Sequence, residues 1–172
     1  MRLYHYAPKN NTCLKDGILC ALKSSQNLKH YVARAGSEDT KEIEKWMEST
    51  FEGRSRSISV LTEPVRWQGN DPGLKTFAEE HNLFSFELDD LLKDGVVEAV
   101  WCKDGSDAQG KNEKFFKVLP EEIDYSPLSW HKVCFEKGLF FAVIRHYLLV
   151  LKNGVIEPKY LKKIQKKQKN YD

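Results

Sequence analysis

Residues 1–20, MRLYHYAPKNNTCLKDGILC, are the most informative stretch of the chain. A short strand is expected over residues 2–6, followed by a polar break. An amphipathic helix is expected over residues 14–22, with Gly17 inside it, because its leucines and isoleucine recur at helical spacing. This helix would fold back over the strand and bring the imidazole of His5 beside a helix N-terminus. Such a terminus suits a phosphate or another anion, since its first N–H groups have no intrahelical partners.

Composition indicates a folded protein rather than a disordered one. The chain has 172 residues, of which 41% are hydrophobic and 30% charged, enough for one domain with a substantial core. The net charge of +2 is too small to require a nucleic-acid or membrane partner. The longest apolar run, residues 138–144, is far shorter than the roughly 20 residues of a membrane span. We expect one domain over residues 1–158 and a solvent-exposed, lysine-rich helix and tail over 159–172.

The four cysteines, Cys13, Cys20, Cys102 and Cys134, are widely spaced and fit no CxxC pattern, so no metal site is predicted. The N-terminal segment lacks the apolar stretch of a secretory signal. Both observations favour reduced thiols in a cytoplasm, or in a protein delivered into another cell without a signal peptide.

Most of the remaining pattern is that of strands and short helices. A helix is expected from about Thr40 to Phe51, with Ser37 or Asp39 as its N-cap, whereas residues 24–36 fit no clear pattern. Short helices are also expected at 74–81, 89–92 and 129–137, and strands at 57–62, 83–88, 96–102, 114–119, 139–143 and 147–151. Since most of these strands alternate, the predicted fold is α+β, with a mixed or antiparallel sheet and helices packed on one side.

Three of these segments together resemble ADP-ribosyltransferase-like domains. Leu3-Tyr4-His5-Tyr6, followed by the Leu-Lys-Asp-Gly-Ile-Leu of residues 14–19, is similar to the strand and glycine-containing segment that open this family. Residues 57–62, Ser-Ile-Ser-Val-Leu-Thr, resemble its second, Ser/Thr-rich strand, and residues 84–91 resemble a strand that ends in an acidic turn. The resemblance implies a curved, split sheet that binds NAD in a cleft between the two sheet halves.

The resemblance also implies roles for individual residues. His5 would hydrogen-bond the adenosine ribose, and Ser57 or Ser59 would support the nicotinamide ribose. Tyr31 is the nearest candidate for the family's central tyrosine. The full set of residues expected to contact NAD is His5, Tyr6, Asn10, Asn11, Tyr31, Ser57, Ser59 and Thr62.

The resemblance also implies a glutamate in the site. This agrees with the chemistry, since glycosidic cleavage develops positive charge at the ribose C1 and a carboxylate stabilises it. The candidates are Glu98, Glu63 and Glu122. Glu98 is preferred, since an acid in the middle of an apolar strand costs free energy unless it faces a wet cleft or a partner.

The expected activity is therefore transfer of ADP-ribose from NAD to a macromolecular acceptor, a protein or a nucleic acid, by a bacterial toxin, effector or defence protein. One alternative is a papain-like hydrolase or deamidase, with Cys13 as nucleophile, His146 as base and Asn153 or Glu157 orienting the imidazole. A second alternative is a binding module that has the same fold but no catalytic activity.

Overall fold

The computed structural model describes residues 1–64, 76–77, 79–104, 114–126 and 146–165. In these ranges the chain forms a seven-stranded antiparallel sheet, a second sheet of two strands, and helices between the strands. The predicted α+β class with an antiparallel sheet is therefore confirmed. No helix in the described ranges is both long enough and apolar enough to cross a membrane.

The strands and helices are numbered here in chain order. The strands are β1 Arg2–Pro8, β2 Ile18–Leu19, β3 Ser57–Leu61, β4 His81–Glu87, β5 Val97–Asp104, β6 Lys114–Val118, β7 His146–Leu151, β8 Val155–Ile156 and β9 Lys162–Ile164. The α-helices are α1 Cys13–Asp16, α2 Ser25–Ala35, α3 Thr40–Thr50 and α4 Leu88–Lys93. Residues 76–77 and 79–80 are also helical. The main sheet has the order β6-β5-β7-β3-β1-β4-β9, and β2 pairs with β8.

The main sheet consists of two halves with a narrow junction. β1 pairs with β4 along its whole length, from Arg2 opposite Glu87 to Pro8 opposite His81. In the described chain, β1 pairs with its other neighbour, β3, through Tyr4 opposite Leu61 alone. The sheet is therefore divided into β6-β5-β7-β3 and β1-β4-β9. The stretch beyond this pair where the two strands do not pair, residues 5–8 of β1 and 57–60 of β3, is called the sheet gap below.

Alternation along the strands gives the main sheet two faces. The first, called the core face, carries buried apolar side chains from both halves: Leu3, Ile58, Val60, Phe84, Phe86, Val100, Leu149 and Leu151. Cys13, Ile18 and Ile156 pack against it from α1 and the small sheet, and Leu88 and Leu91 pack against it from α4. Removing this apolar surface from water is the main source of the fold's stability.

The second, called the opposite face, carries Tyr4, Leu61 and His146, which lie in register across three strands. Phe51, directly after α3, packs on Leu148 and Val150 of this face, and its ring centroid lies 4.5 Å from that of Trp101. The C-terminal end of α3 therefore covers the β5-β7 part of the opposite face and leaves the part near the sheet gap to other residues.

α3 confirms the helix predicted from Thr40. The Asp39 side chain accepts a hydrogen bond from the Lys41 N–H at 2.7 Å, which satisfies one of the helix's first N–H groups. Ile43 and Met47 are buried against α2, which occupies most of the segment that fits no clear sequence pattern.

The predicted helix over residues 14–22 is wrong. α1 ends after one turn, because Gly17 has φ 84° and ψ −178°, a conformation that interrupts a helix. The following Ile18 and Leu19 form β2, opposite Ile156 and Val155 of β8. A helix of one turn has only a weak dipole, and the anion site expected at its N-terminus stays a prediction. The apolar spacing misled the prediction, since a short apolar run does not distinguish helix from strand.

The solvent-exposed, lysine-rich helix predicted within residues 159–172 is also wrong for the described part of that segment. Leu161 is buried, and Lys162–Ile164 form β9, which pairs with β4 at the edge of the main sheet. Leu161 and Ile164 supply the apolar contacts, and the exposed Lys162 and Lys163 lie on an edge strand, a position that tolerates charge. The helix predicted at 129–137, the strand predicted at 139–143 and residues 166–172 lie outside the described residues.

Candidate functional site

The imidazole of His5 reaches from β1 across the sheet gap to β3. Its Nδ1 lies 2.8 Å from the carbonyl oxygen of Ser59. A carbonyl oxygen only accepts, so Nδ1 carries the proton and Nε2 of the neutral ring is a hydrogen-bond acceptor. Burial lowers the pKa of His5, and the charge of nearby His81 lowers it further, while the hydrogen bond to Ser59 opposes them. His5 is therefore neutral near pH 7.

The two serines of β3 differ in exposure, since one side chain is buried and the other is exposed. Ser57 is buried, and its Oγ donates to the carbonyl oxygen of Arg54 at 2.8 Å, so it stabilises the turn before β3. Ser59 is exposed, because alternation places it on the opposite face. Of the two predicted serines, Ser59 is the one with an exposed side chain, and its role in binding stays a prediction.

The polar break after β1 is an ordered turn. The Asn11 side chain donates to the carbonyl oxygen of Pro8 at 2.5 Å and accepts from the Cys13 N–H at 3.0 Å. Asn11 therefore stabilises the chain reversal, and the neighbouring Asn10 is exposed. These contacts explain why the chain turns here without an amphipathic helix.

An aromatic cluster lies at the end of β1 that borders the gap. The Tyr6 ring centroid is 5.2 Å from that of Phe77, which is 4.1 Å from the ring of His81 at an interplanar angle of 29°. His81 Nδ1 donates to the Phe77 carbonyl oxygen at 2.7 Å, which holds the two rings together. We call Tyr6, Phe77 and His81 the aromatic shelf. The sequence analysis assigned Phe77 and His81 no role, although their spacing of four on a predicted helix would place them on one side.

The expected convergence of Glu98 with His5 is wrong. On the successive strands β1, β3, β7 and β5, the residues Tyr4, Leu61, His146 and Lys103 lie opposite one another. Glu98 is on β5, three strands from β1, and lies five residues along that strand from Lys103. At sheet spacings this is roughly 14 Å across and about 16 Å along the strand. Glu98 lies at an irregularity of β5 between Val97 and Ala99 and accepts a hydrogen bond from Arg56 at 2.7 Å. The ion pair with Arg56 therefore compensates the cost of placing the Glu98 carboxylate in an apolar strand, and no cleft is needed to explain it.

The other two candidate carboxylates differ in their surroundings. Glu122 is exposed and accepts from the Leu119 N–H at 2.6 Å, so it caps a short turn. Glu63 is half-buried and follows Leu61 by two residues, so it lies past the Tyr4–Leu61 pair on the side away from the sheet gap. Thr62, between them, is also half-buried. Glu63 is thus the predicted carboxylate placed nearest to the junction.

Tyr31 lies apart from the residues of the gap. It belongs to the cluster between α2 and α3, where its ring centroid is 6.2 Å from that of Trp46. Its contacts are those of helix packing, and the structure does not bring it to His5.

The structure does not bring Cys13 and His146 together either. Cys13 is buried with the core-face cluster, and burial raises the pKa of its thiol, which disfavours a reactive thiolate. His146 lies on the opposite face, in register with Leu61. The predicted cysteine–histidine pair is therefore wrong.

No protein-family model, curated protein or solved structure matches this chain. Among the described residues, no group of three or more His, Cys, Asp or Glu side chains could hold a metal ion.

Proposed function

We propose that this protein is an ADP-ribosyltransferase-like protein that binds NAD at the sheet gap and transfers ADP-ribose to a protein or nucleic acid. One observation carries the proposal: among the described residues the sheet halves pair through Tyr4 and Leu61 alone, and the His5 imidazole reaches across the unpaired stretch beyond that pair to the Ser59 carbonyl. A split sheet with a histidine on its first strand is the arrangement that the motifs of residues 1–24 and 57–62 imply.

The chemistry of the gap suits a ribose. The Nε2 of a neutral His5 accepts a hydrogen bond, and a ribose hydroxyl can donate it. Ser59 carries an exposed hydroxyl on the opposite face of the other half of the sheet. Because the His5 ring is already fixed by Ser59, little side-chain freedom would be lost on binding.

The proposed reaction breaks the bond between the ribose C1 and the nicotinamide nitrogen. The bonding electron pair leaves with nicotinamide, positive charge develops at C1, and a nucleophile of the acceptor bonds to C1 and loses its proton. We assign the stabilising carboxylate to Glu63, since Glu98 is bonded to Arg56 and distant from His5.

The compartment proposed for this activity is a cytoplasm, either of the producing cell or of a cell into which the protein is delivered. Cys13, Cys20 and Cys102 are free thiols, which supports a reducing environment.

The test combines NAD binding with product analysis. NAD at 100 times its dissociation constant would add about 2.7 kcal/mol to the free energy of unfolding, which a thermal-shift assay detects. Mass spectrometry of acceptor proteins and oligonucleotides would detect added ADP-ribose. We expect His5→Ala to weaken NAD binding, Glu63→Gln to retain binding and lose product, and the matched control Glu98→Gln to retain both.

Three other outcomes of these assays would change or contradict the proposal. NAD binding without product in the wild-type protein would indicate the non-catalytic binding module. Absence of any NAD-induced shift at millimolar NAD would contradict the proposal. Loss of product in Glu98→Gln, with Glu63→Gln active, would contradict the assignment of Glu63.

A further inference from the structure

The edge strand β6 exposes apolar side chains next to an open side of the main sheet. Among the described residues β6 pairs with β5 alone, so the N–H and carbonyl groups on its outer side have no strand partner there. Phe116 of this strand is 52% exposed, and Leu119, the residue after the strand, is 57% exposed. β6 therefore offers both main-chain and apolar contacts to an added strand.

The position of β6 is fixed by contacts on both faces of the sheet. On the opposite face, the Phe115 ring centroid lies 5.0 Å from that of Phe51, and the Arg54 guanidinium lies 4.7 Å from the Phe115 ring. Val118 packs against the core-face cluster. A strand that is already ordered loses little conformational freedom when a partner binds to it.

The charge of β6 favours an acidic partner over a second copy of this chain. Lys114 and Lys117 are exposed, and neither takes part in an ion pair with another described residue. Pairing of two β6 strands would gather both lysines of each copy along one seam, where like charges repel. Acidic side chains at the same seam would attract them. The two lysines thus disfavour self-association and favour a carboxylate-bearing strand.

We infer that β6 is a docking strand for an extended acidic peptide of a partner protein, which adds to the main sheet as an eighth strand. Alternation places Phe116 and Val118 on one face, so the partner residues opposite them are apolar. The partner residues opposite Lys114 and Lys117 are acidic. The inference is independent of the proposed NAD chemistry, because β6 lies four strands from β1 in the sheet order.

The test uses the whole chain and a labelled peptide, Ser-Val-Glu-Val-Thr-Glu-Ser, with both ends blocked. Aligned antiparallel to β6, its two valines lie opposite Phe116 and Val118. Its two glutamates then lie opposite Lys114 and Lys117. The control peptide has lysine in place of both glutamates. Fluorescence anisotropy measures affinity, hydrogen exchange locates the bound strand, and thermal melting verifies that each variant is folded.

We expect the acidic peptide to bind and to protect β6 amides from hydrogen exchange, and the lysine peptide not to bind. Changing both Lys114→Glu and Lys117→Glu should weaken binding about tenfold or more, because two attractions become two repulsions. Phe116→Ser should weaken it about fivefold through the lost cross-strand contact. Binding should also weaken as salt rises from about 50 to about 500 mM.

The matched control is the same double charge reversal on the other edge strand, β9, where Lys162 and Lys163 are exposed. These changes should leave the affinity for the acidic peptide unchanged. A loss of binding in the β9 variant alone would overturn the assignment to β6.

Four other results would overturn the inference. They are equal binding of the two peptides, β6 amides already protected in the protein without peptide, and dimerisation that Phe116→Ser abolishes. The fourth is binding of an oligothymidylate at β6 without binding of the acidic peptide, which would indicate a nucleic-acid surface. A missing NAD-induced shift would contradict the proposed function and leave the expected peptide binding unchanged.

Discussion

The imidazole of His5 bonds to the main chain of Ser59 at the point where the two strands cease to pair. Tyr4, the residue before His5, is opposite Leu61, and the Nδ1 of His5 lies 2.8 Å from the Ser59 carbonyl oxygen. A side chain thus satisfies a carbonyl group that a continuous ladder would have paired with a backbone N–H. The same contact sets the tautomer of the histidine and the edge of the sheet gap.

This contact predicts how the stability depends on pH. The pKa of His5 is lowered in the folded protein, chiefly by burial, so the unfolded chain takes up the proton first as the pH falls. The free energy of unfolding should therefore begin to decrease as the pH falls below 6.5, the ordinary pKa of histidine. It should continue to decrease until the pH has passed below the pKa of His5 in the folded protein. His5→Asn retains an N–H donor for Ser59 but does not titrate. Urea denaturation at pH 7.5 and 5.5 should show a larger loss of unfolding free energy in the wild type than in His5→Asn, and equal losses would contradict the neutral, half-buried imidazole.

A substitution at Gly17 tests whether α1 ends at this residue. A Cβ at this position would lie 2.3 Å from the carbonyl oxygen of Ile156, and the backbone conformation is one that only glycine adopts readily. Gly17→Ala should therefore destabilise the protein by about 3 kcal/mol or more. Gly36→Ala is the control, since Gly36 has φ 68° but nothing within 4 Å of its Cβ position, and should cost only about 1 kcal/mol. Chemical denaturation measures both, and a mild Gly17→Ala would support a longer first helix.

Glu48 holds the turn between α3 and β3. Its carboxylate accepts from the Gly53 N–H at 2.7 Å and from the N–H and hydroxyl of Ser55 at 3.0 and 2.5 Å. Burial alone would raise the pKa of Glu48, but the hydrogen bonds from Ser55 and Gly53 together lower it. Glu48→Gln should cost about 1–3 kcal/mol of unfolding free energy, because the bonds to a charged acceptor are the stronger ones.

The matched control for this prediction is Glu44→Gln, the same change at an exposed position on α3. It should alter the unfolding free energy by less than about 0.5 kcal/mol. The stability of the Glu48 variant should equal that of the wild type only at a pH low enough to protonate the carboxylate.

Leu161 tests whether the C-terminal segment docks on the sheet. Its side chain is 9% exposed and belongs to the core-face cluster. Leu161→Ala should therefore destabilise the protein by about 2–5 kcal/mol, the range for a buried leucine. Leu119→Ala, at a leucine that is 57% exposed, should change stability by less than about 0.5 kcal/mol. Similar melting temperatures for the two variants would restore the interpretation of a solvated tail.

Local sequence patterns predicted the elements whose stability depends mainly on nearby residues. Asp39 caps α3 because its side chain reaches an N–H two residues away, and the alternation of Ser57, Ser59 and Leu61 is a property of the strand itself. Leu161 was assigned to a solvated helix because the partners that bury it come from distant parts of the chain.

From the amino-acid sequence alone follow the α+β class, the strand that carries His5, and two sets of candidates, Ser57 or Ser59 and Glu98, Glu63 or Glu122, because periodicity and motifs act within a few residues. The tertiary structure decided that α1 stops at Gly17, that Glu98 lies with Arg56, and that Phe77 and His81 stand beside Tyr6. Each of these depends on which strands become neighbours and in what register. Strand pairing joins residues far apart in the chain, and local spacing contains no information about which strands will meet.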